Sequence, residues 1–319
     1  MAGILVIAET ADGALAPISG ELLGAARGLS DAGGGDVSAF VAGDRLGDAL
    51  ISLGANKVFA GTSPALSDGV AAVLLPAVNA AIEQSGANIV LMGQTSLGRD
   101  LGPALAFAHK TAVAMDCVDL KIDGGKLRVT RSAYGGNARA EHTFKGDLQI
   151  ATVKAKQYDA LAPDSGRTGS TVTIDVAGES PVKVTGHTQP EVTGIRIEDA
   201  PVVVSGGRGL GDASGFEMLE ELSKLLKGAT GASRAACDLG WYPPAQQVGL
   251  TGKTVSPSLY IAVAISGASQ HMAGMAGAKN IVAINKDPDC NMVQVSKYAV
   301  IEDYKKIVPA LIEAIKALP

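Results

Sequence analysis

Ser266-Gly-Ala-Ser-Gln-His271 follows directly on the apolar run Leu259–Ile265. An open α/β sheet binds its ligands at that place, beyond the carboxyl ends of its strands. His271 is the group there that could hold or donate a proton, although a lone histidine at a helix start is commonly satisfied by backbone. A second segment, Val204-Ser-Gly-Gly-Arg-Gly-Leu-Gly-Asp-Ala-Ser214, leads from a strand pattern into a helix pattern, so its N–H groups could face a phosphate. It is not a GxGxxG fingerprint, because the pair Gly209 and Gly211 puts Ser214 at the third glycine position and Arg208 intrudes. Arg234, in Gly231-Ala-Ser-Arg-Ala235, could equally be an anion ligand or a packing residue. Gly249-Leu-Thr-Gly-Lys-Thr254 fails as a Walker A loop, since Gln247 stands where the first glycine belongs. His109, His142 and His187 have no metal-ligand spacing, and no HExxH, GxSxG or paired-carboxylate motif occurs. Hydrolase and metalloenzyme chemistry are therefore disfavoured.

Composition narrows the class further. A chain of 319 residues, 47% of them hydrophobic, can bury two cores. Forty glycines beside five Phe, six Tyr and one Trp suit the tight turns and close backbone approaches of α/β nucleotide folds. The net charge of −5 without any Lys/Arg run argues against nucleic acid. Cys117, Cys237 and Cys290 make no CxxC, which suits free thiols in a reducing compartment. The start, Met1 to Glu9, lacks a basic n-region, and the longest apolar run is too short to span a bilayer. These features predict a soluble cytoplasmic chain with no membrane insertion.

The elements that would position these groups follow from periodicity. Strands at Ile4–Ala8, Val37–Ala42, Lys57–Ala60 and Ile89–Met92 alternate with helices near Glu21–Leu29, Leu46–Leu53 and Ala71–Gln84, the last closed by Gly86. Another helix opens at Gln94-Thr-Ser-Leu-Gly-Arg99 and reaches Lys110. Alternating segments then predict antiparallel strands at Val118–Ile122, Leu127–Ser132 and Ala138–Phe144, with turns at 123–125 and 134–137. Ile150–Lys154 and Val172–Val176 continue the strand-rich pattern. A second β-α-β series starts at Pro201, with Ser214 as helix cap, Phe216, Leu219, Leu222, Leu225 and Leu226 as the buried face, core strands at Leu259–Ile265 and Ile281–Ile284, and a last helix at Ile307–Ile315. The expected fold is α/β, with two doubly wound, Rossmann-like domains. The first, 1–188, carries an added antiparallel portion; 189–199 is a hinge or linker within the irregular stretch from Thr185; the second is 200–319.

Taken in order, Ser205-Gly-Gly-Arg-Gly209, Gly231-Ala-Ser-Arg-Ala235, Gln247-Val-Gly-Leu-Thr-Gly252, Leu259–His271 and Ile281-Val-Ala-Ile-Asn-Lys-Asp-Pro288 resemble the α subunit of electron-transfer flavoproteins. The resemblance implies that the second domain holds FAD through Arg208, Ser233, Arg234, Val248, Gly249, Leu250, Thr251, Ser266, Gly267, Ala268, Ser269, Gln270, His271, Asn285 and Asp303. In the roles it implies, the Arg234 charge favours the anionic reduced forms of the flavin, His271 faces the flavin O2 side and Thr251 lies near N5. Ser266, the backbone around Gly267, and Asn285 hold the ribityl and pyrophosphate, the latter at a helix N-terminus. Leu250 departs from the polar Gln of many relatives.

The same resemblance implies an electron carrier and not an enzyme: a heterodimer with one FAD, whose β subunit docks on the first domain and binds AMP. Electrons would come from flavoprotein dehydrogenases, such as the acyl-CoA dehydrogenases of fatty-acid β-oxidation, and leave to a membrane quinone oxidoreductase. The second domain would swivel about 189–199 to meet both. A mitochondrial-matrix location is the alternative to the cytoplasm. Rival functions are a bifurcating or nitrogen-fixation-linked homologue with a second FAD in β, an independent NAD(P)-linked oxidoreductase, and a scaffold that has lost its flavin.

Overall fold

The computed structural model describes residues 3–134, 138–186 and 195–317. Residues 135–137 of the turn expected at 134–137, and residues 187–194 with His187 and most of the 189–199 linker, lie outside the described residues. Two compact units result, one within residues 3–133 and 139–186 and the other within 195–317.

In the first unit the chain runs β1 (Ile4–Ile7), the small hairpin β2 (Thr10–Ala11) and β3 (Ala14–Leu15), α1 (Pro17–Leu29), β4 (Val37–Ala42), α2 (Gly47–Ser52), β5 (Lys57–Gly61), α3 (Ala71–Ser85), β6 (Ile89–Gly93) and α4 (Ser96–Ala108). It continues through β7 (Val113–Asp123), β8 (Lys126–Ala133), β9 (Ala138–Thr143), β10 (Gln149–Val153) and β11 (Ser170–Ile174). The sheet order is β11-β5-β4-β1-β6-β10-β7-β8-β9. All four residues of β1 are buried, as a central parallel strand covered on both faces requires. Ile4 and Val6 pack with Leu22 and Leu23 of α1, whereas Leu5 and Ile7 pack with Val78 of α3 and Leu101 of α4. Strand β7 pairs antiparallel with β8, the turn closed by Gly124 and Gly125, both at positive φ. By contrast β10 enters between β6 and β7, and β11 joins the far edge beside β5, each in parallel register.

The strand order reverses at β1 and β6, where an open sheet offers a crevice. Two side chains meet there. Thr95, the N-cap of α4, accepts from the Gly98 N–H and donates its hydroxyl to Glu9 Oε1 at 2.8 Å. Burial raises the Glu9 pKa and the Thr95 hydroxyl opposes the rise.

The second unit contains β12 (Val202–Gly206), α5 (Gly215–Leu225), β13 (Ala229–Ala232), α6 (Arg234–Asp238), β14 (Leu259–Val263), α7 (Ser269–Met275), β15 (Ile281–Asn285), α8 (Asn291–Val295), β16 (Tyr298–Ile301) and α9 (Tyr304–Lys316). Its sheet is wholly parallel in the order β13-β12-β14-β15-β16. This is the 2-1-3-4-5 arrangement, whose switch point lies between the first and third strands, here β12 and β14. Strand β16 forms the outer edge, and all four of its side chains are exposed.

Local expectations were corrected here in three places. Ser214 precedes α5 without capping it, because its hydroxyl and N–H both turn to Asp212. Leu225 is more than a third exposed, so the buried apolar face of α5 is carried by Phe216, Leu219 and Leu222. Of the stretch assigned to the linker, Ile197 is 1% exposed within the core that contains Val203 and Val248, and Glu198 pairs with Lys253 at 2.5 Å. Those residues belong to the packed second unit.

Candidate functional site

At the β12/β14 switch point the second unit opens into a cavity of about 690 Å³, within the ordinary range for cofactor sites. Gly207, Arg208 and Gly209 reach it from the end of β12, and Ser233, Arg234, Ala235 and Asp238 from α6. Gln247 to Thr251 supply another wall, and Ala264, Ile265, Ser266, Ala268, Gln270 and His271 come from the end of β14 and from α7; Asn285 ends β15. Twelve of the fifteen residues named from the sequence therefore meet in one place. Gly267, Ser269 and Asp303 do not line it.

Gly267 and Asp303 support neighbours. Gly267 sits at φ +83, and a Cβ there would stand 2.4 Å from the Met292 nitrogen, so only glycine lets the loop lie against α8. Ser269 opens α7. Asp303 caps α9 by accepting from the Lys305 N–H, and it pairs with Lys286 at 3.0 Å.

The glycine-rich segment does not offer the amide cradle that its composition suggests. Arg208–Leu210 forms a 3₁₀ turn that spends its N–H groups internally: Gly207 donates to Val263 O, Gly209 to Ala264 O, Leu210 to Gly207 O and Gly211 to Arg208 O. The segment meets the cavity at Gly207, Arg208 and Gly209, of which Arg208 alone is charged. Tyr304, at the start of α9, anchors this turn by donating its buried hydroxyl to Leu210 O at 2.7 Å. Tyr304→Phe orphans that carbonyl, and a loss of about 1–2 kcal/mol is expected in urea unfolding. An unchanged midpoint would show that the turn does not depend on the anchor.

The loop after β14 is arranged the other way. Its carbonyls are tied down, Ser266 O by Met292 N, Gly267 O by Asn291 Nδ2, and Ala268 O by the amides of His271 and Met272. Its N–H edge is thus the one turned away from the scaffold. Asn285 works within the scaffold, donating Nδ2–H to Ile265 O and accepting from Asp287 N.

Across the cavity, Thr251 Oγ1 accepts from Gln247 Nε2 at 3.1 Å, so its hydroxyl proton remains to be donated elsewhere. The Leu250 N–H is taken by Gln270 O at 2.7 Å, and its side chain is 68% exposed. Close contact makes this seam possible: a Cβ on Gly274 of α7 would stand 2.3 Å from the Gly249 nitrogen. Arg234 is also partnered, since its Nε lies 3.3 Å from Asp238 Oδ2 on the same helix, with both side chains well exposed.

His271 is 6% exposed, and its Nε2 meets the hydroxyl of fully buried Tyr260 at 2.8 Å. Burial pushes the imidazole pKa down to about 4, against a smaller upward influence from the Val248 backbone. The ring is neutral at ordinary pH and acts as a dipole. Because the folded pKa lies below the unfolded value of about 6.5, the unfolded chain binds the additional proton between the two, and stability falls as pH drops from 6.5 toward 4. Between pH 7 and 4.5 this one group should cost roughly 2 kcal/mol. Urea curves read from Trp241 should show a shallower acid loss in His271→Gln than in the wild type; equal slopes would contradict the assignment.

Sequence reasoning missed Tyr260, Gln247, Asp238, Gly274 and Tyr304. Tyr260 had a usable signal, a tyrosine in an otherwise aliphatic buried strand, because a buried hydroxyl needs a partner.

A parallel sheet in this strand order, open at its switch point and lined there by two guanidiniums, hydroxyls and a neutral imidazole, defines a nucleotide-cofactor-binding unit. The electron transfer flavoprotein domain matches residues 4–179, and the electron transfer flavoprotein FAD-binding domain matches residues 196–276. The chain is 38% identical to the electron transfer flavoprotein subunit alpha of Thermoanaerobacterium thermosaccharolyticum, over 99% of this chain and 98% of the relative. It is 39% identical to that of Megasphaera elsdenii, over 98% and 96%, and 35% identical to Protein FixB of Clostridium saccharobutylicum, over 99% and 97%. The chain belongs to the electron-transfer flavoprotein α-subunit family, and its second unit carries that family's FAD-binding domain. Among the described residues, no helix is long and apolar enough to cross a membrane.

Proposed function

We propose that the chain holds one FAD in this cavity as the α subunit of a heterodimer, with AMP in the β subunit. It relays electrons from flavoprotein dehydrogenases, such as those of fatty-acid β-oxidation, to a membrane quinone oxidoreductase, without turning over a substrate of its own. The β subunit docks on the first unit, and the pair works in the cytoplasm. The observation that carries this reading is the convergence of Arg208, Ser233, Arg234, Val248–Thr251, Ser266, Ala268, Gln270, His271 and Asn285 on one cavity at the switch point. The donor set suits FAD: Arg208 and Arg234 supply permanent positive charge, Ser266 and Thr251 supply hydroxyls, and Val248, Ala264 and Ile265 supply apolar wall.

Bound FAD supplies the ring system that accepts and returns electrons. Within that partnership Arg234 favours negative charge beside it, tempered by Asp238. Thr251 has a proton to donate, held in position by Gln247, and the N–H edge at Ser266 and Ala268 suits a phosphate oxygen. Gly267, Ser269, Asn285 and Asp303 hold the loops that carry these groups.

The likeness to Protein FixB supports a second reading, in which the partner subunit carries another FAD and the pair bifurcates electrons or serves nitrogen fixation. The visible spectrum and flavin content of the chain purified with its β subunit separate the two. One FAD per heterodimer is the expected result, two favour the second reading, and a colourless complex indifferent to FAD would sink both.

A further inference from the structure

Behind the cavity wall His271 is bonded to a residue that no role above explains. Tyr260 of β14 is 0% exposed and presents its hydroxyl to His271 Nε2 at 2.8 Å. One buried polar atom on either side of this pair has no hydrogen-bond partner, Ser205 Oγ on β12 and His271 Nδ1. The Ser205 hydroxyl comes near enough to oppose the effect of burial on Tyr260, and the Val248 backbone near enough to oppose it on His271, each short of hydrogen-bond geometry.

Burial keeps both rings neutral, with the His271 pKa pushed down and that of Tyr260 pushed up. Between a neutral phenol and a neutral imidazole the phenol is the better acid and the bare ring nitrogen the better acceptor. The Tyr260 O–H therefore donates to Nε2, and the ring proton of His271 sits on Nδ1. Imidazole tautomers are set in this way, by the bond that the other nitrogen makes.

We propose that Tyr260 is a positioning residue for the cavity: its hydroxyl holds His271 in one orientation and one tautomer, with the ring proton kept on the buried Nδ1. The inference rests on the reading that the cavity binds FAD, and it assigns part of that affinity to a residue that lines no part of the cavity. Tyr260→Phe keeps the ring and its packing while removing the bond.

The test uses the heterodimer stripped of FAD, with ¹⁵N-histidine spectra and FAD titration as separate readouts. In the wild type His271 should show a protonated Nδ1 and a hydrogen-bonded, unprotonated Nε2. Tyr260→Phe should move both shifts toward a tautomer average and weaken FAD binding about three- to ten-fold. In a His271→Ala background the same change should weaken it no further, as expected of a residue acting through its partner. A Tyr260→Phe protein that only melts earlier, with wild-type shifts and affinity, overturns the proposal, as does an equal loss in both backgrounds. If that variant does not fold, an Nε2–H tautomer in the wild type is equally decisive against it. Wild-type heterodimer that binds no FAD removes the reading beneath, while the spectra still report whether Tyr260 fixes the ring.

Discussion

Gly274→Ala should strip FAD from the second unit and lower its unfolding free energy by about 2–4 kcal/mol. The sign is opposite to the usual one, because alanine is worth about 1 kcal/mol more than glycine within a helix. Here the added Cβ would stand 2.3 Å from the nitrogen and 2.5 Å from the Cα of Gly249, and backbone cannot swing aside as a flexible side chain can. Gly249 is itself at φ +151, with its N–H bonded to Lys253 O. Helix α7 would have to retreat, breaking the Leu250 N–H bond to Gln270 O and drawing His271 away from the cavity. Urea unfolding followed by Trp241 fluorescence, with flavin content measured on the same samples, tests this. A variant as stable as the wild type, with its FAD retained, would mean that the seam yields freely.

The second large effect is electrical. Arg234→Ala should lower the reduction potential of the bound flavin, and Asp238→Asn should raise it, because the two side chains of α6 line the same cavity with opposite charge. At about 4 Å a unit charge is worth about 4 kcal/mol at an effective dielectric of 20 and about 1 in water, which spans roughly 40–170 mV for one electron. Arg234 is 68% exposed, so the lower end is expected, and added salt should shrink it further. Spectroelectrochemical titration of the heterodimer reads both variants directly. Shifts of the same sign in both, or none in either, would remove Arg234 from the group of residues that tune the flavin.

Much of the architecture was legible because local pattern and long-range packing agreed. Val37–Ala42 was read to the residue, and the Gly86 stop of α3 is observed at φ +64. Where they part, the pattern misplaces the element. The strand read from Val118 begins at Val113, because Asp116 bends it through a left-handed conformation that no alternation reveals. Strand β11 was read two residues late, since Ser170 and Thr171 look like loop residues but pair with β5 at an exposed edge. Periodicity also does not show Glu9 meeting Thr95 at the switch point of the first sheet, a contact across 86 residues of chain. The site was legible as an ordered set of short segments and little more. Arg208 could be read but not the 3₁₀ turn that spends the amides around it, and His271 could be read but not Tyr260 behind it. Such partners are chosen by packing between elements far apart in sequence.

The exposed strand β16 bears on how such a protein can be handled. Tyr-Ala-Val-Ile is uncharged throughout, flanked by Lys297 before it and Glu302 after it, and lies at the margin of its sheet with side chains uncovered on both faces. A margin of that kind is a template on which a further strand can add, and charge or proline at such margins is the usual deterrent. Light scattering of concentrated stocks should therefore rise with time, and a lysine at Val300, outside the cavity, should slow the rise without altering the flavin spectrum.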